Sequence, residues 1–121
     1  MYNNWSFMDK GDKMRVVIKH PGIEPLIMVV SPSVENPDTI GLESLQNLVG
    51  GLIEYVEINS DLKIDCVINE EGKIIGLDPN FRYGYDTIVG TAVFVSSDNE
   101  GNTLGLNDEQ TKWVFESFGM V

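Results

Sequence analysis

The sequence predicts an α+β fold, a single domain in which an antiparallel or mixed β-sheet carries two helices packed on one face. Three observations predict it. Apolar residues alternate with period two over most of the chain and recur at helical spacing in only two stretches. The order of elements is strand, strand, helix, a run of strands, then helix, whereas a doubly wound fold needs strict strand–helix alternation. The length of 121 residues, 42% of them apolar, suits one core, and no repeat, linker or long apolar run divides the chain.

The elements follow in order. Residues 1–12 mix Asn, Asp and Gly with Trp5, Phe7 and Met8 without a period; they are expected to form an N-terminal tail packed back on the domain, which runs from 13 to 121. Met14 to Ile18 reads as a strand, His20-Pro21-Gly22 breaks it, and Leu26 to Val30 returns as its hairpin partner. Pro32, Asn36 and Pro37 force a loop. Leu42, Leu45, Leu48 and Val49 then fall on one helical face, with Gly50-Gly51 as the left-handed stop. A β-hairpin follows, Leu52 to Ile58 and Leu62 to Ile68, turning at Asn59-Ser60-Asp61. Asn69-Glu70-Glu71-Gly72 is a tight turn leading to the short apolar piece Ile74-Ile75. Asp78 to Asp86 follows no period and reads as an irregular segment. Thr87 to Val95 is apolar on both faces and is expected to be one central strand, with Gly90 marking a bulge, the more ordinary reading, or the close approach of another group. After a loop from Ser96 to Gly105, Asn107 and Gln110 have capping-box spacing, and Trp113, Val114 and Phe118 give the final helix its buried stripe.

Charge and composition exclude several functions. Eight Lys+Arg against nineteen Asp+Glu leave a net charge of −11, which opposes direct binding to nucleic acid or an anionic membrane, because such binding depends on cations releasing condensed counterions. The same acidity suits an imitation of DNA that fills a basic groove on another protein. Cys66 is the only cysteine, so an internal disulfide and a multi-thiolate metal site are excluded, and its place in an apolar alternation marks it as inert core. No signal peptide is recognisable, so a cytoplasmic location is expected.

No catalytic constellation emerges. His20, the only histidine, stands beside a turn without a nucleophile in any recognisable motif. Asp98 to Glu109 spaces oxygen donors somewhat like a calcium loop, but Thr103 stands where the sharp turn needs glycine. Glu70-Glu71 lie in a turn where they serve solubility. Neither an enzymatic activity nor a metal or cofactor is therefore expected.

The least generic stretch is Asn80-Phe81-Arg82-Tyr83-Gly84-Tyr85. Arg82 is the only cation between Lys73 and Lys112 and lies among three aromatic rings, a composition that can stack a planar ring and pair a phosphate. In that arrangement Arg82 meets the phosphate, Asn80 offers amide hydrogen bonds, Phe81, Tyr83 and Tyr85 supply stacking faces, and Gly90 and Thr91 form a backbone floor. Lys73, Arg15 or a second subunit would supply the local positive charge that the chain as a whole lacks. The alternative is a loop whose Arg82 pairs with Asp78 or Asp86 and whose rings complete the core.

From Leu42 onward the chain resembles the domain-of-unknown-function 3846 family of phages, plasmids and other mobile elements. The resemblance rests on Leu45-Gln46-Asn47-Leu48-Val49-Gly50-Gly51, Ile53-Glu54-Tyr55-Val56, Asn69-Glu70-Glu71-Gly72-Lys73, Pro79-Asn80-Phe81-Arg82, Ile88-Val89-Gly90-Thr91 and Leu106-Asn107-Asp108-Glu109-Gln110, and it spans residues 42 to 118. It implies an accessory factor that counters bacterial defence by binding rather than by catalysis. Together with the Arg82 segment, the first expectation is a protein that sequesters a small nucleotide-like signal. The second is an acidic inhibitor that binds a host defence protein directly, by DNA mimicry.

Overall fold

The computed structural model describes residues 14–119. Among them, β1 (Arg15–Lys19), β2 (Leu26–Val29), α1 (Leu42–Val49), β3 (Ile53–Asn59), β4 (Ile64–Asn69), β5 (Pro79–Tyr83), β6 (Asp86–Val89), β7 (Ala92–Ser97), β8 (Thr103–Leu104) and α2 (Asp108–Phe118) follow in chain order. The fold is α+β, as the pattern predicts. The tail expected at residues 1–12 lies outside the described residues.

The main sheet is antiparallel, in the order β2-β1-β7-β4-β3, and β8 pairs with the end of β7. Both predicted hairpins are present, β1–β2 and β3–β4. Alternation sorts the side chains onto two faces. Val17, Cys66, Ile64, Ala92 and Phe94 meet Val114 of α2 on one face, and Val16, Ile18, Val67, Val93 and Val95 meet Leu45 and Val49 of α1 on the other. The helices therefore cover opposite faces, which corrects the expectation that they share one. The reason lies in β1, β4 and β7, whose apolar residues point both ways. With each helix offering a single apolar stripe, two helices on one side would leave the other face wet.

The largest departure concerns residues 78 to 95. The expected irregular segment and the first part of the expected central strand form a separate hairpin, β5–β6, which pairs Phe81 with Ile88, Arg82 with Thr87 and Tyr83 with Asp86. Gly84, at φ 62, opens its two-residue turn, as a type II′ turn requires. Gly90 is a break, not a bulge. Its φ of 76 redirects the chain between β6 and β7, and a Cβ there would stand 2.6 Å from Leu77 Cδ1. Only β7 is central. The hairpin packs beside α2, where Phe81 lies 6.0 Å from the Phe94 ring and 4.7 Å from the Phe118 ring.

The local signals operate as chemistry dictates. Gln110 N–H donates to Asn107 Oδ1 and Asn107 N–H to Gln110 Oε1, both at 2.8 Å, completing the capping box of α2. Gly50, at φ 81, closes α1 in the left-handed region. Cys66 is fully buried, and burial pushes its thiol pKa far up, which keeps it an unreactive thiol. Ile74 and Ile75 are exposed. Arg15 is fully buried: its Nε donates to Leu106 O at 3.1 Å and its Nη2 bonds Asp108 Oδ1 at 3.0 Å. It ties β1 to the start of α2 and cannot assist a surface ligand.

Candidate functional site

The seven residues singled out from the sequence are brought onto or next to the β5–β6 hairpin, but they do not converge on one hollow. Asn80 Nδ2 donates to Lys19 O at 2.7 Å and to Gly90 O at 2.8 Å, so the amide fastens the hairpin to the end of β1. Its Oδ1 is buried and has no hydrogen-bond partner among the described residues. Phe81 belongs to the core. Gly90 makes the chain turn, and the Thr91 hydroxyl shares a 2.9 Å hydrogen bond with His20 Nδ1. The fold uses Asn80, Phe81, Gly90 and Thr91 itself, because a short hairpin can hold to a sheet only through such contacts.

Arg82, Tyr83 and Tyr85 remain at the surface. Alternation along β5 sends Phe81 and Tyr83 toward the sheet and Arg82 away from it. Tyr83 stays partly exposed, and its hydroxyl donates to Ile58 O at 3.3 Å. Tyr85, at the turn, is fully exposed. Arg82 is exposed and pairs with neither Asp78 nor Asp86, since Asp86 is taken by Lys73. That hydrogen bond, with a second from Thr87 N–H, holds the Asp86 carboxyl below the usual carboxylate range. Lys73 thus already faces a carboxylate, and the pair adds no net positive charge to the cleft.

A cleft of about 160 Å³ lies between the hairpin, the outer strand β3 and its neighbour β4. Val56, Ile68 and Ile88 form its apolar floor; Glu54, Glu70 and Asp86 with the paired Lys73 form its polar wall; Tyr83 closes one side. Two broader and shallower depressions hold about 470 and 430 Å³, one at Gln46, Asn47, Gly50, Gly51, Leu52 and Glu71, the other along Ser31–Glu35 and Gly41–Ser44. Neither is lined by a cation, and Arg82 borders none of the three hollows. A drug-sized ligand fills roughly 300–1,000 Å³ of enclosed space. The enclosed cleft is smaller, and its net charge has the wrong sign for phosphate.

Sequence reasoning missed the acidic residues around β3. Glu54 and Glu57 fall on opposite faces of that strand by alternation, a signal visible in the sequence. That β3 is the outermost strand was not visible, because sequence patterns do not give strand order. Glu57 stands directly opposite Asp65 on β4. Burial raises the Asp65 pKa, the side-chain hydrogen bond with Ser97 opposes the rise, and the Glu57 charge adds to it. The Asp98 carboxyl, by contrast, accepts from the Asn102 side chain and from the N–H groups of Asn102 and Glu100, each at 2.9 Å, and its pKa is lowered. Those contacts make it a loop brace. Among the described residues no group of three or more His, Cys, Asp or Glu side chains is placed to hold a metal ion.

Residues 14–119 match the family model described as Domain of unknown function (DUF3846). The chain belongs to the DUF3846 family. The match takes in β1, β2 and the loop from Pro32 to Asp38, which the resemblance from Leu42 onward left out, so the DUF3846 domain and the described fold have the same extent. No curated protein and no solved structure matches this DUF3846 chain. No helix among its described residues is long and apolar enough to cross a membrane.

Proposed function

We propose that this DUF3846 protein is a non-enzymatic binding protein that acts by docking on another protein, as an acidic inhibitor of a host defence factor. One observation carries the proposal: the enclosed cleft is walled by Glu54, Glu70 and Asp86, and its single cation, Lys73, is already paired. A nucleotide-like anion placed there meets carboxylates, whereas a basic protein surface meets complementary charge. The net charge of −11 extends the same preference over the whole molecule. The setting, bacterial defence against mobile elements, is part of the same proposal and is taken from what the sequence resemblance implies.

The test is to express the chain in bacteria that carry a nuclease-based defence, challenge them with phage, and follow nucleotide signals by mass spectrometry. The expected result is restored plaque formation with signal levels unchanged. One observation favours a second function, retention of a nucleotide-like signal: Arg82 and Tyr85 are exposed at the hairpin tip with no side-chain partner among the described residues, and two such tips in a dimer would present two guanidinium groups and two rings. Thermal-shift measurements with cyclic dinucleotides and ADP-ribose derivatives decide between the two. Stabilisation of roughly 2.7 kcal/mol at a hundredfold excess over the dissociation constant, lost in Arg82→Ala, would replace inhibition by sequestration.

A further inference from the structure

The outer strand β3 is acidic on both faces and is paired on one side only. Among the described residues β4 is its sole ladder partner. The Glu70 N–H donates to Leu52 O at 2.8 Å, which fixes the phase of the ladder. In an antiparallel pair, residues alternate between turning their backbone groups toward the partner and away from it. Counting from Leu52, Glu54 and Val56 turn theirs toward β4, so Ile53, Tyr55 and Glu57 present theirs outward. β3 contains no cation, and Glu54 and Glu57 have no ion-pair partner among the described residues.

The two faces differ in a way that selects an occupant. Glu54 and Val56 lie on the side of α2, where they line the cleft with Glu70 and Asp86. Glu57 lies on the side of α1, directly opposite Asp65, a like-charge pair that destabilises a ladder. A second copy of this chain is a poor occupant, because pairing β3 with itself crowds two Glu54 and two Glu57 carboxylates on one short ladder. An extended segment carrying two cations relieves both faces at once.

We propose that β3 is a docking edge for an extended basic segment of a partner protein, which adds as a further strand and places two Lys or Arg residues three positions apart. One of them stands opposite Glu54 at the mouth of the cleft. The other stands opposite Glu57, beside Asp65. Spacing by three is required because residues opposite one another in a ladder share a face, and Glu54 and Glu57 are on different faces. Outward backbone groups supply the ladder bonds and the paired charges supply selectivity, the division of labour seen in strand addition generally. This inference rests on the protein-docking function proposed above and names its surface.

The probe is an acetylated, amidated peptide of about ten residues, alternating valine and threonine with two lysines three positions apart, titrated into the isotope-labelled full chain. Amide shifts are expected at 53–57 and at the cleft residues 68–70 and 86–89. Binding is expected to weaken at least about fivefold when the lysines are two apart and about tenfold when alternate peptide nitrogens are methylated. In the Glu54→Lys/Glu57→Lys chain the preference is expected to pass to the same peptide with glutamates in place of lysines. No binding at millimolar peptide, shifts on another acidic face, or indifference to lysine spacing and methylation would each overturn the proposal. Shifts at 53–57 that grow with protein concentration alone would give the edge to a second copy. Shifts there on deleting residues 2–12, with peptide affinity raised, would give it to the chain's own N-terminus. If phage protection stands while the peptide fails, the docking surface is wrong and the function survives. If the peptide binds while protection fails, the edge is right and the function is wrong.

Discussion

The positions that looked most like a ligand site separate, residue by residue, into those the fold consumes and those it leaves free, and substitution distinguishes them. Gly90→Ala forces a Cβ to within 2.6 Å of Leu77 Cδ1 on a backbone at φ 76. Left-handed strain and overpacking together should lower stability by about 2–4 kcal/mol in urea unfolding. Arg82→Ala, on an exposed side chain without a partner among the described residues, should change it by no more than about 0.5 kcal/mol. Equal losses for both would mean that Arg82 is structural after all. The carboxylates provide a second test, with opposite signs. The native pKa of Asp65 is raised, so the native state holds that proton more tightly than the unfolded chain does, and stability falls as pH rises from the ordinary 3.8 through the native value. For Asp98 the native pKa is lowered, so its contribution is complete above 3.8 and is lost as pH falls through the native value. Asp65→Asn should abolish the first decline. At neutral pH it should also stabilise by about 0.2–1 kcal/mol by removing the charge opposed to Glu57. Urea unfolding of both chains from about pH 3 to about pH 7 checks this, and an unaltered profile for Asp65→Asn would contradict it.

At the level of elements, legibility followed the range of the interaction. The capping box of α2 was readable because Asn107 and Gln110 act on each other across three residues. Asn107→Ala should cost about 1 kcal/mol in urea unfolding, most of it recovered by Asn107→Asp, whose carboxylate also accepts the Gln110 N–H. The Gly50 stop and the turn at Asn59, whose Oδ1 accepts from Leu62 N–H at 3.0 Å, were local in the same sense. The β5–β6 hairpin was not. Its strands are short, Asn80 is half-buried by reaching Lys19 sixty-one residues away in sequence, and Ile88-Val89 run on in apolar character into Val93 and Val95 across Gly90. Alternation cannot reveal where a strand changes sheets when the residues on both sides of the break are apolar. The placement of the helices failed to show for a related reason. Each apolar stripe was visible, but which face of the sheet it covered depended on β1, β4 and β7 being buried on both sides. Of the candidate site, Arg82 and its rings were legible as composition, and the acidic edge was not, since it exists only once β3 is outermost.

At the level of the whole molecule, the charge of −11 acts on folding and on association in opposite directions. Carboxylates concentrated on a compact surface repel one another more than they do on an expanded chain, so screening should favour the native state. The Debye length falls from about 10 Å at 0.1 M salt to about 3 Å at 1 M, which spans the separations between neighbouring surface charges. Sodium chloride raised over that range should therefore increase the thermal midpoint. Two ion pairs among the described residues do not reverse this, because Lys73–Asp86 is exposed and contributes little, and Arg15–Asp108 has its cation fully buried. Association with a basic partner along β3 draws on the same carboxylates and should weaken over the same range, mainly through a slower encounter. A salt titration that follows thermal midpoint and association rate on one preparation thus has two readouts with opposite expected slopes. If both fall together, the acidic surface is locked into structural ion pairs; if association is insensitive to salt, apolar contact rather than charge governs docking.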